Sequence, residues 1–136
     1  MILTLTLPWA PSVNTYWRHP NTGPLRGRNL ISDAGRVYRK AVLRAVPGLQ
    51  PLGGRLRVAI GVYPPDRRRR DLDNLPKAIL DALTHAGIWG DDSQIDHLEI
   101  IRHEVVKGGR IDVEIGPYVA QMVRVAREAS TYEVAV

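Results

Sequence analysis

Two stretches hold residues suited to phosphodiester chemistry: Arg67-Arg68-Arg69-Arg70-Asp71-Leu72-Asp73-Asn74-Leu75-Pro76-Lys77 and Gly90-Asp91-Asp92-Ser93-Gln94. Clustered cations hold a polyanion, and carboxylate oxygens hold the divalent cations that cleave it. In an extended segment Asp71 and Asp73 share a side while Leu72 turns inward. If a helix capped by Asp73 or Asn74 follows, Lys77 lies one turn along, beside Asp73. A hard cation such as Mg²⁺ takes one or two protein carboxylates and fills its remaining positions with water and phosphate. Asp91 or Asp92 supplies a third acid; in an extended segment these neighbours point to opposite sides, so one of the two joins the site. In-line displacement at phosphorus needs an activated water and neutralised equatorial oxygens, which a metal and Lys77 provide. The plainer alternative is a solvated turn beside an exposed charge run. Four consecutive arginines repel one another, however, and abutting them to paired acids makes sense mainly around a polyanion and cations.

The elements that position these residues belong to one domain, since 136 residues suffice for a single core. Lys plus Arg exceed Asp plus Glu by 19 to 14, a net charge of +5, with a pI near 10.0. Only Lys40, Lys77 and Lys107 are lysines. Arginine's planar fork suits phosphate, although codon bias in a GC-rich genome gives the same excess. The absence of Cys removes disulfides, thiolate catalysis and Cys-based zinc sites, and fits the cytoplasm. Nothing in the chain approaches a membrane span, and the N-terminus lacks the basic region of a leader.

Leu3, Leu5 and Leu7 alternate with Thr4 and Thr6, which predicts a strand ended by Pro8. Residues 11–30 form an ordered loop with interspersed aromatic and basic residues. Ser32 caps a predicted helix over 33–46, with Val37, Ala41, Val42 and Ala45 as its apolar stripe. A strand over 55–63 ends at Pro64-Pro65, and a helix runs from about Asn74 to Ala86, with Gly87 as its exit. Strands over 95–106 and 110–115 are predicted to form a hairpin through Lys107-Gly108-Gly109. Val119, Met122, Val123 and Ala126 recur at the spacing of a short amphipathic helix, and Ser130 to Val136 would fray. The expected fold is α+β: a two-layer sandwich of a small mixed sheet and two main helices.

His19, His85, His97 and His103 share no ligand spacing, and no serine sits in a nucleophile signature. Trp9 and Trp17 are either stacking platforms for bases or aromatics at the core edge.

Leu7-Pro8-Trp9-Ala10-Pro11-Ser12-Val13-Asn14, the run Arg69 to Lys77, Asp81-Ala82-Leu83 and Gly87-Ile88-Trp89-Gly90-Asp91-Asp92-Ser93-Gln94 together resemble the RusA family of Holliday-junction resolvases, small phage- and bacterium-borne endodeoxyribonucleases. The resemblance covers roughly residues 2 to 116. It implies that Asp71, Asp73 and Asp92 form an acidic metal-binding triad with Lys77 as catalytic lysine. It further implies a homodimer that makes paired nicks across a four-way DNA junction with Mg²⁺ or Mn²⁺ and leaves ligatable ends. A two-fold dimer matches a substrate that needs two symmetric cuts. Arg67, Arg68, Arg69, Arg70 and Lys107 would hold phosphates, and Asn74 would cap or orient the acids. Residues 1–117 would then be the nuclease domain, with 118–136 an extension past the usual family end; the loop His19 to Arg28 also looks expanded.

Two other readings stand beside this one. A non-catalytic basic module for branched or single-stranded DNA accounts for the charge and leaves the acids unexplained. A metal nuclease acting on RNA or flaps accounts for both and differs in substrate.

Overall fold

The computed structural model describes residues 2–120. Alternating apolar residues build the strands of one sheet: β1 (Leu3–Leu7), β4 (Leu56–Tyr63), β5 (Ile95–Arg102) and β6 (Arg110–Pro117). Between β1 and β4 come a single helical turn, α1 (Val13–Tyr16), the short pair β2 (Trp17–Arg18) and β3 (Leu30–Ile31), and helix α2 (Asp33–Ala45). Helix α3 (Pro76–His85) connects β4 to β5.

The sheet order is β1-β6-β4-β5, with β6 antiparallel to both neighbours and β4 parallel to β5. The expected hairpin therefore does not exist. The Lys107-Gly108-Gly109 turn is present, but β6 slots between β1 and β4, leaving β5 on the far edge. Parallel pairing needs a crossover, and α3 supplies it. Strand β5 also stops at Arg102, earlier than expected. Beyond it the chain keeps two further backbone bonds to the β4 side: His103 N donates to the Val62 carbonyl at 2.9 Å, and Val106 N to that of Pro64 at 2.9 Å.

One face of the sheet carries the core. Leu5, Leu7, Val58, Ile60, Ile111 and Val113 pack against Tyr38 and Val42 of α2 and against Ala78, Ile79, Ala82 and Leu83 of α3. No polar or charged side chain among the described residues is buried. The opposite face stays partly open and bears Thr4, Arg57, Tyr63 and Glu114. These two layers are the α+β sandwich that the periodicity predicts.

Helix α2 begins as expected, with Ser32 Oγ accepting from Gly35 N at 3.0 Å. Its buried face is nevertheless rotated from the expected stripe. Gly35, Tyr38 and Val42 point inward, whereas Val37 is 67% exposed. The cause is close packing at Gly35, where a Cβ would lie 2.6 Å from the Tyr16 carbonyl oxygen. Tyr38 can be buried because its hydroxyl donates to the Pro8 carbonyl at 3.0 Å. The expected helix over 119–126 and the frayed end at 130–136 fall on residues 121–136, outside the described residues apart from Val119 and Ala120.

Candidate active site

Pro64-Pro65 end β4 and start the segment that carries the arginines and first acids. Asp66 ties that segment to itself: its carboxylate accepts from Arg68 N at 2.9 Å and Arg70 Nη1 at 2.7 Å. These donors, the Arg70 side chain foremost, lower the Asp66 carboxyl to about 2. The Arg70 guanidinium also lies 5.6 Å from the Trp9 ring centre, a cation–π contact. Arg102, at the end of β5, donates to the Arg70 carbonyl immediately before Asp71.

Asp71 has extended backbone, but Leu72–Asn74 closes into a 3-10 turn, so the strand alternation expected for the acid pair does not apply. Neither Asp73 nor Asn74 caps the helix. Leu75 is the residue before α3, and Pro76 opens it, its fixed φ and missing N–H being harmless in the first turn. Buried Leu75 anchors this junction in the core. Asp71, Asn74, Arg69, Arg70, Trp9 and Ser12 line a groove of about 390 Å³. The Asp71, Asp73 and Lys77 side chains belong to exposed residues. Among the described residues, no side chain forms an ion pair with Asp71 or Asp73.

The second acidic stretch is set by α3 and buried Trp89. Gly87 at φ +81° turns the chain out of the helix, and Trp89 Nε1 donates to Thr84 Oγ1 at 2.7 Å. Asp91 then heads a 3-10 turn, Asp92–Gln94, in a reciprocal cap. Its Oδ1 accepts from Ser93 N at 3.3 Å, while Gln94 Oε1 accepts from Gly90 N at 2.9 Å and Asp91 N at 3.2 Å. Gln94 Nε2 locks the turn to the Leu52 and Gly54 carbonyls, both at 3.0 Å. The two neighbouring acids are thereby differentiated. Asp91 is held below the usual carboxylate range by the Ser93 donors. Asp92 is pushed above it by partial desolvation, then by the hydrogen bond it shares with the Asp91 carboxyl and by the charges of Asp91 and Asp81, with Lys77 pulling the other way.

Asp81, one turn beyond Lys77 on α3, is knotted to the other helices. Arg39 of α2 donates to Asp81 Oδ2 through Nε at 3.0 Å and Nη2 at 2.8 Å. Tyr16 donates to the same oxygen, and Arg39 Nε also reaches the Tyr16 hydroxyl at 3.0 Å. Burial, followed by the Asp81 carboxylate, raises the Tyr16 hydroxyl far above the ordinary tyrosine range. Sequence reasoning assigned no role to Asp81, Tyr16 or Arg39, because the three meet only when α1, α2 and α3 pack.

The structure thus gathers Arg69, Arg70, Asp71 and Asn74 in one groove, whose lining does not include Asp73, Lys77 or Asp92. Lys107 lies in the turn before β6 and lines neither this groove nor the neighbouring arginine-lined one. Among the described residues no three His, Asp or Glu side chains form a compact metal cluster. The donor chemistry still fits a hard cation: Asp71 and Asp73 offer carboxylate oxygens with no cationic partner, and Mg²⁺ needs only one or two such ligands.

Carboxylates beside an arginine-lined groove on an α+β sandwich fit an enzyme acting on a phosphodiester polyanion. The family model "Endodeoxyribonuclease RusA" matches residues 8–116. The "Crossover junction endodeoxyribonuclease rusA" of Enterobacteria phage 82 is 46% identical over 114 residues, covering 82% of this chain and 91% of that protein. The proteins of the same name from Shigella sonnei (strain Ss046) and Escherichia coli (strain K12) are each 44% identical over 115 residues, covering 82% of this chain and 92% of theirs. The chain belongs to the RusA family of endodeoxyribonucleases, a family that implies a divalent-metal requirement in general.

Proposed function

We propose that this chain resolves four-way DNA junctions by paired symmetric nicks, acting in the cytoplasm as a homodimer with Mg²⁺, or Mn²⁺ in its place. The nuclease unit is residues 1–117, because the family match ends at 116 and β6 at Pro117; residues 118–136 extend it. The observation that carries the reading is the division of labour at 91 and 92. Asp91 caps the turn through its own side chain, which leaves Asp92 as the neighbouring acid that caps nothing.

Asp71, Asp73 and Asp92 are the residues that would hold the metal. When bound, the ion neutralises charge on the phosphate and makes a bound water acidic enough to attack at neutral pH. The arginines of the groove and Asn74 hold the backbone so that the scissile phosphate stays beside the acids. The attacking water oxygen bonds to phosphorus and gives up a proton to solvent, while the P–O3′ bond breaks and the 3′ oxygen leaves with the electron pair and takes a proton from solvent, so that a 3′-hydroxyl and a 5′-phosphate remain as a ligatable nick. Lys77 meets the negative charge that develops on the phosphoryl oxygens. The Tyr16–Arg39–Asp81 knot ties α3, which carries Lys77, to α1 and α2.

A labelled mobile junction and a linear duplex of the same sequence, each with Mg²⁺ or EDTA, test this with wild type and Asp73→Asn. Symmetric, Mg²⁺-dependent nicks on the junction alone, absent in the variant, are expected. Tight junction binding with no cutting in Mg²⁺ would favour a non-catalytic DNA-binding module.

A further inference from the structure

A second groove, of about 320 Å³, is lined by Arg67, Arg68, Arg102, His103, Pro64 and Val105, and shares Arg69 and Arg70 with the Asp71 groove. Five guanidinium groups meet there against one carboxylate, that of Asp66, which is already engaged with Arg68 at 3.6 Å and Arg70 at 2.7 Å. Among the described residues no acid pairs with Arg67, Arg69 or Arg102. Converging like charges repel unless an anion lies between them.

The groove wall is built. The His103 ring stacks on Tyr63, with centres 4.7 Å apart and planes 15° from parallel, and Arg110 lies 4.1 Å from the centre of the Tyr63 ring. Gly61 leaves room for that stack, since a Cβ there would come within 3.0 Å of His103 Nε2. Arg102 is exposed and contributes one N–H to the Arg70 carbonyl. A guanidinium has five N–H donors in a planar fork, so most of its capacity remains for a ligand.

We propose that Arg102 is a DNA-backbone contact: with Arg67 and Arg69 it grips a phosphate of the strand that runs on into the adjoining Asp71 groove. This rests on the junction-cutting function proposed above. It adds a strand path that crosses from β5 to the arginine run, and a residue outside that run. Because Arg102 is bonded to the carbonyl preceding Asp71, the same side chain fixes the backbone from which the first acid projects.

The test is junction binding by the full chain in EDTA across a salt series, comparing wild type with Arg102→Ala, Arg102→Gln and Arg102→Lys. Wild-type cleavage in Mg²⁺ is followed separately. Arg102→Ala and Arg102→Gln should each weaken binding roughly tenfold and flatten the plot of log affinity against log salt by roughly 0.9 for each phosphate no longer neutralised. Arg102→Lys should keep the slope. If Arg102→Ala melts too early to be measured, Arg102→Gln carries the test, because its amide keeps a donor for the Arg70 carbonyl without the charge. An unchanged slope in the neutral variants overturns the proposal and leaves Arg102 a structural tie. Wild type that binds but never cuts would overturn the resolvase reading, while the slopes still decide the groove.

Discussion

Asp91 and Asp92 are adjacent and chemically identical, yet the fold places them differently, Asp91 capping the turn that Asp92 begins. Asn caps a turn about as well as Asp, so Asp91→Asn should keep both the 90–94 turn and cleavage. Asp92→Asn should abolish cleavage while junction binding persists or tightens, because removing an acid lessens repulsion toward phosphate. Single-turnover cleavage and gel-shift affinity, measured on the two variants side by side, check this. Equal losses at 91 and 92 would contradict the division. Lys77→Ala should lower the single-turnover rate by roughly 10²–10³-fold, the size of effect seen when one transition-state donor is removed, with junction affinity little changed. A matching loss of affinity would make Lys77 a phosphate anchor. Residue types and spacing made these candidates legible. The residues alone left the choice between the neighbouring acids open, Asp92 coming only from the family resemblance, because the cap at Asp91 depends on the Gln94 side chain reaching back to two backbone N–H groups.

Among the elements, β1, α2, β4 and α3 were readable from apolar periodicity and from Ser32, Pro64 and Gly87. Pairing was not. A Gly-Gly turn after β5 signals a hairpin locally, and nothing local reveals that β6 will be captured by β1 and β4. The face of α2 was misread because Tyr38 and Gly35 count poorly as apolar residues, although a bonded hydroxyl and a missing side chain let both go inside. The 66–70 segment gives a pH prediction. The Asp66 carboxyl is lowered from 3.8 to about 2, so its ties to Arg68 and Arg70 are present above the ordinary carboxylate range and disappear as pH falls through about 2. Asp66→Asn should therefore loosen the segment at neutral pH and differ progressively less from wild type between pH 3.8 and about 2. Hydrogen exchange at Arg68 and Arg70, or junction affinity where the enzyme remains folded, reads this out. A constant difference across that window would show that the carboxylate charge is not what holds the segment.

For the whole molecule, core and chemistry are separate. The buried cluster is entirely hydrophobic, whereas the acids lie at an exposed rim. Chelation with EDTA should therefore stop cleavage and leave the melting curve almost where it was, unlike a structural metal domain, which unfolds on chelation. Circular dichroism melts with and without EDTA, run beside the cleavage assay, check this; a large drop in melting temperature would mean that the metal also supports the fold.

The place of β6 in the sheet bears on how such an enzyme is made. The last of the described strands is an inner one, and among the described residues β1, the first, has no partner in the main sheet except β6. During synthesis β1 and β4 cannot be joined until residues 110–117 have emerged, so the arginines and acids are made well before the frame that aims them. A ribosome-bound chain, or one broken off before β6, would be a charged and unassembled polypeptide. A DNA-cutting activity would thus be withheld until nearly the whole domain exists.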